Sequence, residues 1–136
     1  LKNSLNYSVT NFASVYIENK GNKVFDAISL PAKAQLSVIN SILTLDIDSD
    51  GKKDLVLGGN NYQSEVETTR NDAGFGTVLL GNGDGSFSVL DNIKSGLYLI
   101  GDLRDMDFIR LSSDQIALLS AYNNNKIQLH TLNKPK

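Results

Sequence analysis

The chain contains no cysteine, which excludes disulfides, thiolate zinc sites and cysteine nucleophiles and leaves the redox compartment open. It has two prolines, Pro31 and Pro135, and one histidine, His130. An excess of either charge is also missing. Thirteen basic against 15 acidic residues leave a net charge of −2, so no broad attraction for nucleic acid or an anionic membrane surface is expected. No apolar run approaches the roughly 20 residues of a membrane span, and no membrane insertion is expected. No leader with a basic start, an apolar centre and a small-residue end is seen; the chain begins at Leu1 rather than Met and so reads as a processed product or a piece of something longer.

What is present is an ordinary globular balance. Of 136 residues, 40% are hydrophobic and 21% charged, enough for a single domain, 1–136, with a real core. Eleven glycines fall in recurrent turn signals: Asn19-Lys20-Gly21-Asn22, Asp50-Gly51, Gly58-Gly59-Asn60-Asn61, Gly81 to Gly85 and Asn123-Asn124-Asn125. Between them lie short segments rich in Val, Ile, Leu, Tyr and Phe, which predict strands at 14–17, 24–30, 36–45, 55–57, 77–80, 116–122 and 127–132. No segment keeps a helical stripe, and the expected fold is all-β.

An internal repeat is visible. Residues 14–25 lie over 76–87 without a gap, Gly21 onto Gly83 and Phe25 onto Phe87, 62 positions apart. Each copy reads as a strand, a Gly-centred turn, and a strand opening near a Phe that packs between sheets. Units of about 10–70 and 71–132 follow. Hairpins that recur must stack to bury their apolar faces, and a radial set of four-stranded antiparallel β-propeller blades does this. Two units cannot close a ring of about four to eight blades, so the chain is either about two blades of a larger propeller, the favoured expectation, or an open β-structure that covers its edges another way.

The most specific motif is Asp46-Ile47-Asp48-Ser49-Asp50-Gly51-Lys52-Lys53-Asp54. Its aspartates stand at loop positions 1, 3, 5 and 9. Alternation lets a curling backbone turn Asp46, Asp48 and Asp50 inward; Gly51 permits the sharp bend; Lys52 offers its carbonyl while its ammonium points to water; Asp54 closes the shell. The donors are hard oxygens, which disfavour zinc and copper and favour Ca2+. Position 12 is Leu57, not the Glu of an EF-hand, and a strand rather than a helix follows. Without a cation four like charges would repel. The cation's expected role is to staple the fold.

The loop, the strand Leu55-Val56-Leu57 with Gly58-Gly59-Asn60, and the Asn-x-Gly-x-x-x-Phe hairpins resemble the FG-GAP/VCBS repeats, the calcium-binding propeller blades of integrin α-subunit heads and cartilage-acidic-protein-like secreted proteins. Arg70 to Gly83 is similar to a blade junction of bacterial members, and Gly101 to Asp105 with Tyr122 to Lys126 to the closing, C-terminal segment. The resemblance implies that Asp46, Asp48, Asp50, Asp54 and the Lys52 carbonyl hold Ca2+. It also implies an extracellular, periplasmic or cell-surface protein that binds a protein or glycan and does not catalyse, with the remaining blades as a further partner. The second unit departs from the pattern: matching Asp102 to Asp46 puts Arg104 where Asp48 stands, so no metal is expected there and Arg104 is expected to pair with Asp102 or Asp105.

Other residues carry weaker readings. His130 shares a strand face with Gln128 and is expected to face solvent. Arg70 and Asp72 read as a loop salt bridge. Glu65 and Glu67 lie in a long segment that is the best candidate for a partner surface. Tyr62, Phe75, Tyr98 and Tyr122 read as core or sheet-face residues rather than sugar platforms. Asn6-Tyr7-Ser8 fits a glycosylation sequon. The rival reading is a propeller hydrolase or lyase, although no Ser/His/Asp arrangement or phosphate loop is present; a glycosidase pair such as Glu65 with Asp72 would need a separation of about 5–9.5 Å.

Overall fold

The computed structural model describes residues 4–112 and 116–131; Leu132, the predicted end of the last strand, and Pro135 lie outside the described residues. These residues form an all-β molecule: β1 (Val15–Gly21), β2 (Val24–Ser29), β3 (Ser41–Leu45), β4 (Asp54–Gly58), β5 (Thr77–Gly81), β6 (Phe87–Leu90), β7 (Leu103–Arg110), β8 (Ile116–Tyr122) and β9 (Gln128–His130). They make three antiparallel sheets, ordered β1-β2, β3-β4-β5-β6 and β7-β8-β9. Among the described residues helix is confined to a 3-10 turn at Ala32–Gln35 and a single turn, α1, at Asn92–Ser95.

The repeat seen in sequence is a repeat of strand register. Tyr16↔Ile28, Ile17↔Ala27, Glu18↔Asp26 and Asn19↔Phe25 in the first hairpin match Val78↔Leu90, Leu79↔Val89, Leu80↔Ser88 and Gly81↔Phe87 in the second. The connections differ. Asn22 and Lys23 both take positive φ, 50° and 65°, a two-residue turn that follows the twist of the strands. The second hairpin closes through a longer loop, with Gly83 and Gly85 at φ 87° and 84°.

A second register match comes from the inner strands. Thr44↔Leu55↔Leu79 and Ile42↔Leu57↔Thr77 correspond to Phe108↔Leu118↔His130 and Met106↔Ser120↔Gln128. Each sequence unit therefore supplies the outer hairpin of one sheet and the inner hairpin of the next. The middle sheet is built from both units.

The sheets stack in chain order. One face of the middle sheet carries Leu55, Leu57, Leu79 and Phe87, which pack with Tyr16, Leu30, Ala34 and Ile39. Tyr16 meets Phe87 edge-on, ring centroids 5.7 Å apart. The other face carries Val56, Val78 and Leu90, which pack with Leu103, Met106, Leu118 and Tyr122 of the third sheet. Alternation along β4 and β5 sends adjacent residues into two different cores, and each fully buried Leu or Val there contributes about 1.5–3 kcal/mol.

Four expectations need correction. Of Leu36–Leu45, only Ser41–Leu45 is strand; the polar side chains ahead of it bond to residues far along the chain, Ser37 Oγ to Asn60 Oδ1 (2.7 Å) and Asn40 Nδ2 to the Leu103 carbonyl at the start of β7 (2.7 Å). Phe87 packs between sheets, but Phe25 is 60% exposed because nothing among the described residues covers the outer face of β1–β2. Tyr122 is core, whereas Phe75 and Tyr98 project into solvent. His130 is half-buried on the face turned to the core, at the position that Leu79 holds in the middle sheet.

His130 gives a pH prediction. Burial pushes its imidazole below the ordinary 6.5. As pH falls through about 6.5 the unfolded chain takes up the proton first, so stability is present above that pH and declines below it, down to the folded pKa. Tm measured at pH 7.5 and 5.5 is expected to fall in the parent. His130→Leu, which restores the residue type of the matching site, is expected to shrink that fall.

Candidate metal centre

The acidic loop lies between the paired ends of β3 and β4, where Leu45↔Asp54 closes the ladder. Ser49 and Gly51 take positive φ, 66° and 84°, and these two reversals coil the loop. Ile47 is buried in the larger core and anchors it. The curl gathers one carboxylate oxygen each from Asp46, Asp48 and Asp50 within 4.8 Å of one another. Backbone amides orient them: Asp50 N–H donates to Asp46 Oδ1 (3.1 Å) and Asp48 Oδ1 (3.2 Å), Gly51 N–H to Asp46 Oδ2 (3.0 Å), and Lys52 N–H to Asp50 Oδ1 (2.8 Å).

Lys52 differs from the sequence reading. Its ammonium does not point free into water but lies 2.9 Å from Asp50 Oδ2. That hydrogen bond holds the Asp50 carboxyl below the ordinary carboxylate range and raises the Lys52 ammonium. The mutual repulsion that was expected to demand a cation is thus partly offset by Lys52 and by the loop amides.

Asp54 stands apart from the three clustered carboxylates. It is 1% exposed, with Oδ2 accepting from Ile47 N–H (2.6 Å) and Oδ1 from Gly81 N–H (2.8 Å). It ties the loop to β5. The close approach needs Gly81, because a Cβ there would overlap the Lys53 carbonyl.

The departure in the second unit has a different cause from the one expected. Asp102–Phe108 enters and begins β7, the counterpart of β3, and does not occupy the place of the acidic loop. That place is the shorter connection from β7 to β8, in which residues 113–115 lie outside the described residues. The expected ion pair is present: Arg104 Nη2 lies 2.8 Å from Asp102 Oδ2, and Asn123 Nδ2 donates to the same oxygen at 3.1 Å. Although burial opposes it, these two donors hold the Asp102 carboxyl below its ordinary range.

The long segment behaves as read for Arg70, which pairs with Asp72 (2.8 Å) and lies over the Tyr62 ring (4.7 Å). Glu65 and Glu67 are exposed. Sequence reasoning missed two buried polar centres. Asn60, read only as a turn residue, is a four-bond junction between loops. Ser120 Oγ lies 2.9 Å from His130 Nε2, a Ser–His contact where none was expected; Ser120 is 0% exposed, so no substrate reaches its hydroxyl. The pairing of β8 with β9 makes that contact, and neither residue's local sequence signals it.

Three clustered, amide-oriented carboxylates at a loop rim can hold one hard divalent cation. No helix among the described residues is long and apolar enough to cross a membrane. Comparison with protein-family models, with curated proteins and with solved structures yields no match.

Proposed function

We propose that this chain is a calcium-stabilised β-propeller segment of the FG-GAP/VCBS type, serving as a non-enzymatic scaffold or binding module for a protein or glycan. The observation that carries the metal assignment is the convergence of Asp46, Asp48 and Asp50 within 4.8 Å in a loop whose amides pre-orient them. The propeller reading is supported by sheets that repeat in register and stack face to face in chain order. Millimolar calcium outside the cell fills even a modest site of this kind, which motivates an extracellular, periplasmic or surface location. The cation staples the β3–β4 turn, and Lys52 swings from Asp50 toward water when it binds.

Calcium titration against a chelator tests the assignment. At about a hundredfold excess over Kd, binding adds about 2.7 kcal/mol, on the order of 10 °C in Tm for a domain this size. Asp48→Ala and Asp50→Ala are expected to lose the calcium response while keeping the chelator-state Tm within a few degrees. An identical Tm with calcium and with chelator, and no metal co-purifying, would remove the calcium assignment and the location argued from it.

A further inference from the structure

Two of the chain's three arginines are held by one edge only. Arg70 gives its Nε to Asp72 and lies over the Tyr62 ring. Arg104 gives its Nη2 to Asp102. Among the described residues no other acceptor meets either guanidinium. The sheet makes room for Arg104. Leu103 pairs with Tyr122 and Asp105 with Ala121, so Arg104 is an extra residue in β7 with no partner on β8. Such a bulge re-aims a side chain out of the ladder's alternation, and Leu103 and Met106 both enter the core on either side of it.

A buried carboxylate fixes the direction of that guanidinium. Asp102 Oδ2 takes both Arg104 and Asn123, while its Oδ1 accepts no hydrogen bond among the described residues. The pair is therefore one-point rather than bidentate, and it leaves the Arg104 side chain 42% exposed. Asp105, the next residue, accepts from Ser41 Oγ (2.9 Å) and does not take the free edge. The two arginines belong to one place. Asn60 draws the loops together through the Gly74 and Gly101 carbonyls. Tyr62 turns its backbone N–H to the Asp102 carboxyl and its ring to Arg70. Asn123 closes the other side, its N–H on the Asp102 carbonyl (2.9 Å). Exposed amides at Asn71, Asn123 and Asn124 flank the arginines.

We infer that this loop junction binds a carboxylated sugar of the uronate type, with Arg104 taking the carboxylate, Arg70 adding a second positive edge, and the amides of Asn123 and Asn124 reading ring hydroxyls. A planar guanidinium edge that is already oriented fits a carboxylate through two parallel hydrogen bonds. An amide offers both a donor and an acceptor, as a hydroxyl does, and amides beside the arginines favour a hydroxylated ring over an acidic peptide. Asp102 acts as a positioning residue and does not touch the ligand. The inference rests on the binding-module reading and narrows its glycan to an acidic one. It is independent of the acidic loop, which lies at the opposite ends of β3 and β4.

The test uses the full chain, isotope-labelled, with chelator present so that the metal loop plays no part. The arginine Nε–Hε signals are followed during titration with a short oligouronide, with its neutral counterpart, whose carboxylates are reduced to alcohols, and with acetate. Arg110 ends the same strand as Arg104 and is the internal control. Shifts at Arg104 and Arg70 with none at Arg110 are expected, and at least about tenfold weaker binding of the neutral counterpart and of acetate. Arg104→Lys keeps the charge and loses the planar edge; it is expected to weaken the oligouronide at least about tenfold at near-parental Tm. Arg70→Lys, at a more exposed position, gives the same readout where the first variant does not fold, with an expected loss of about threefold or more. The inference is overturned by an unmoved Arg104 signal at millimolar oligouronide, by equal binding of the neutral counterpart, by tighter binding of an acidic peptide, by a folded Arg104→Lys that binds as the parent does, or by equal shifts at all three arginines, the mark of unspecific charge attraction. Cleavage of the bound oligouronide would leave the site standing and remove the non-enzymatic reading instead.

Discussion

Asp54→Ala is expected to cost about 2–6 kcal/mol in urea denaturation with chelator present throughout. The carboxylate is buried, and it accepts from two backbone amides, Ile47 at 2.6 Å and Gly81 at 2.8 Å. Truncation leaves both donors unpaired away from water, at about 1–3 kcal/mol each. Against a whole-domain stability of about 5–15 kcal/mol that loss is severe. Asp54→Asn separates shape from charge: its amide oxygen can satisfy one donor while its NH2 confronts the other, so an intermediate loss is expected. Working in chelator matters because it removes any contribution from a bound cation. A cost below about 0.5 kcal/mol under those conditions would sink the structural role and leave Asp54 as a metal ligand only.

The second large effect is expected at Asn60, which is 1% exposed. Its Nδ2 donates to the carbonyls of Gly74 and Gly101, both at 2.9 Å, and its Oδ1 accepts from Ser37 Oγ at 2.7 Å and from Gly74 N–H at 2.9 Å. One side chain therefore fastens three separate stretches of chain, and all four of its hydrogen-bonding positions are used. Asn60→Ala is expected to cost about 3–5 kcal/mol, since it strands several buried partners at once. Asn60→Asp is the sharper probe. The carboxylate keeps the shape and the two acceptor bonds but has no N–H to offer Gly74 and Gly101. It is expected to be as damaging as alanine near neutral pH and milder in acid, where protonation restores a donor. Melting curves at both pH values check this. If Asp proves neutral at pH 7, the junction is not what holds the loops.

Local chemistry made much of the fold legible. Strands flanking Gly21 and Gly83 are readable because a turn needing positive φ and an alternating apolar pattern occur together. The acidic loop is readable because its spacing and Gly51 are both local. What stayed hidden depends on partners far along the chain. Alternation shows which face Phe25 and His130 lie on, but not whether another sheet covers that face. Leu36–Asn40 has the composition of a strand, yet Ser37 and Asn40 bond to residues more than twenty positions away. Asp54 looks like one more aspartate in an acidic run until β5 brings the Gly81 amide against it. Asp102 and Asp46 stand in similar local sequence, yet the ladder places Asp102 before a strand and Asp46 after one.

The stacking of sheets in chain order has a kinetic consequence. The middle sheet touches a neighbour on both faces, while each terminal sheet touches one, so assembly approximates a short one-dimensional array with nearest-neighbour terms. The middle sheet alone offers a surface on each face for a neighbouring sheet to condense on, so growth from the centre is the expected order of assembly. The β1–β2 hairpin, secured chiefly around Tyr16, Leu30 and Phe87, is expected to join late. Substitutions in it are expected to alter how fast the molecule comes apart far more than how fast it forms, with peeling of that hairpin from an otherwise intact stack as the expected first step of unfolding.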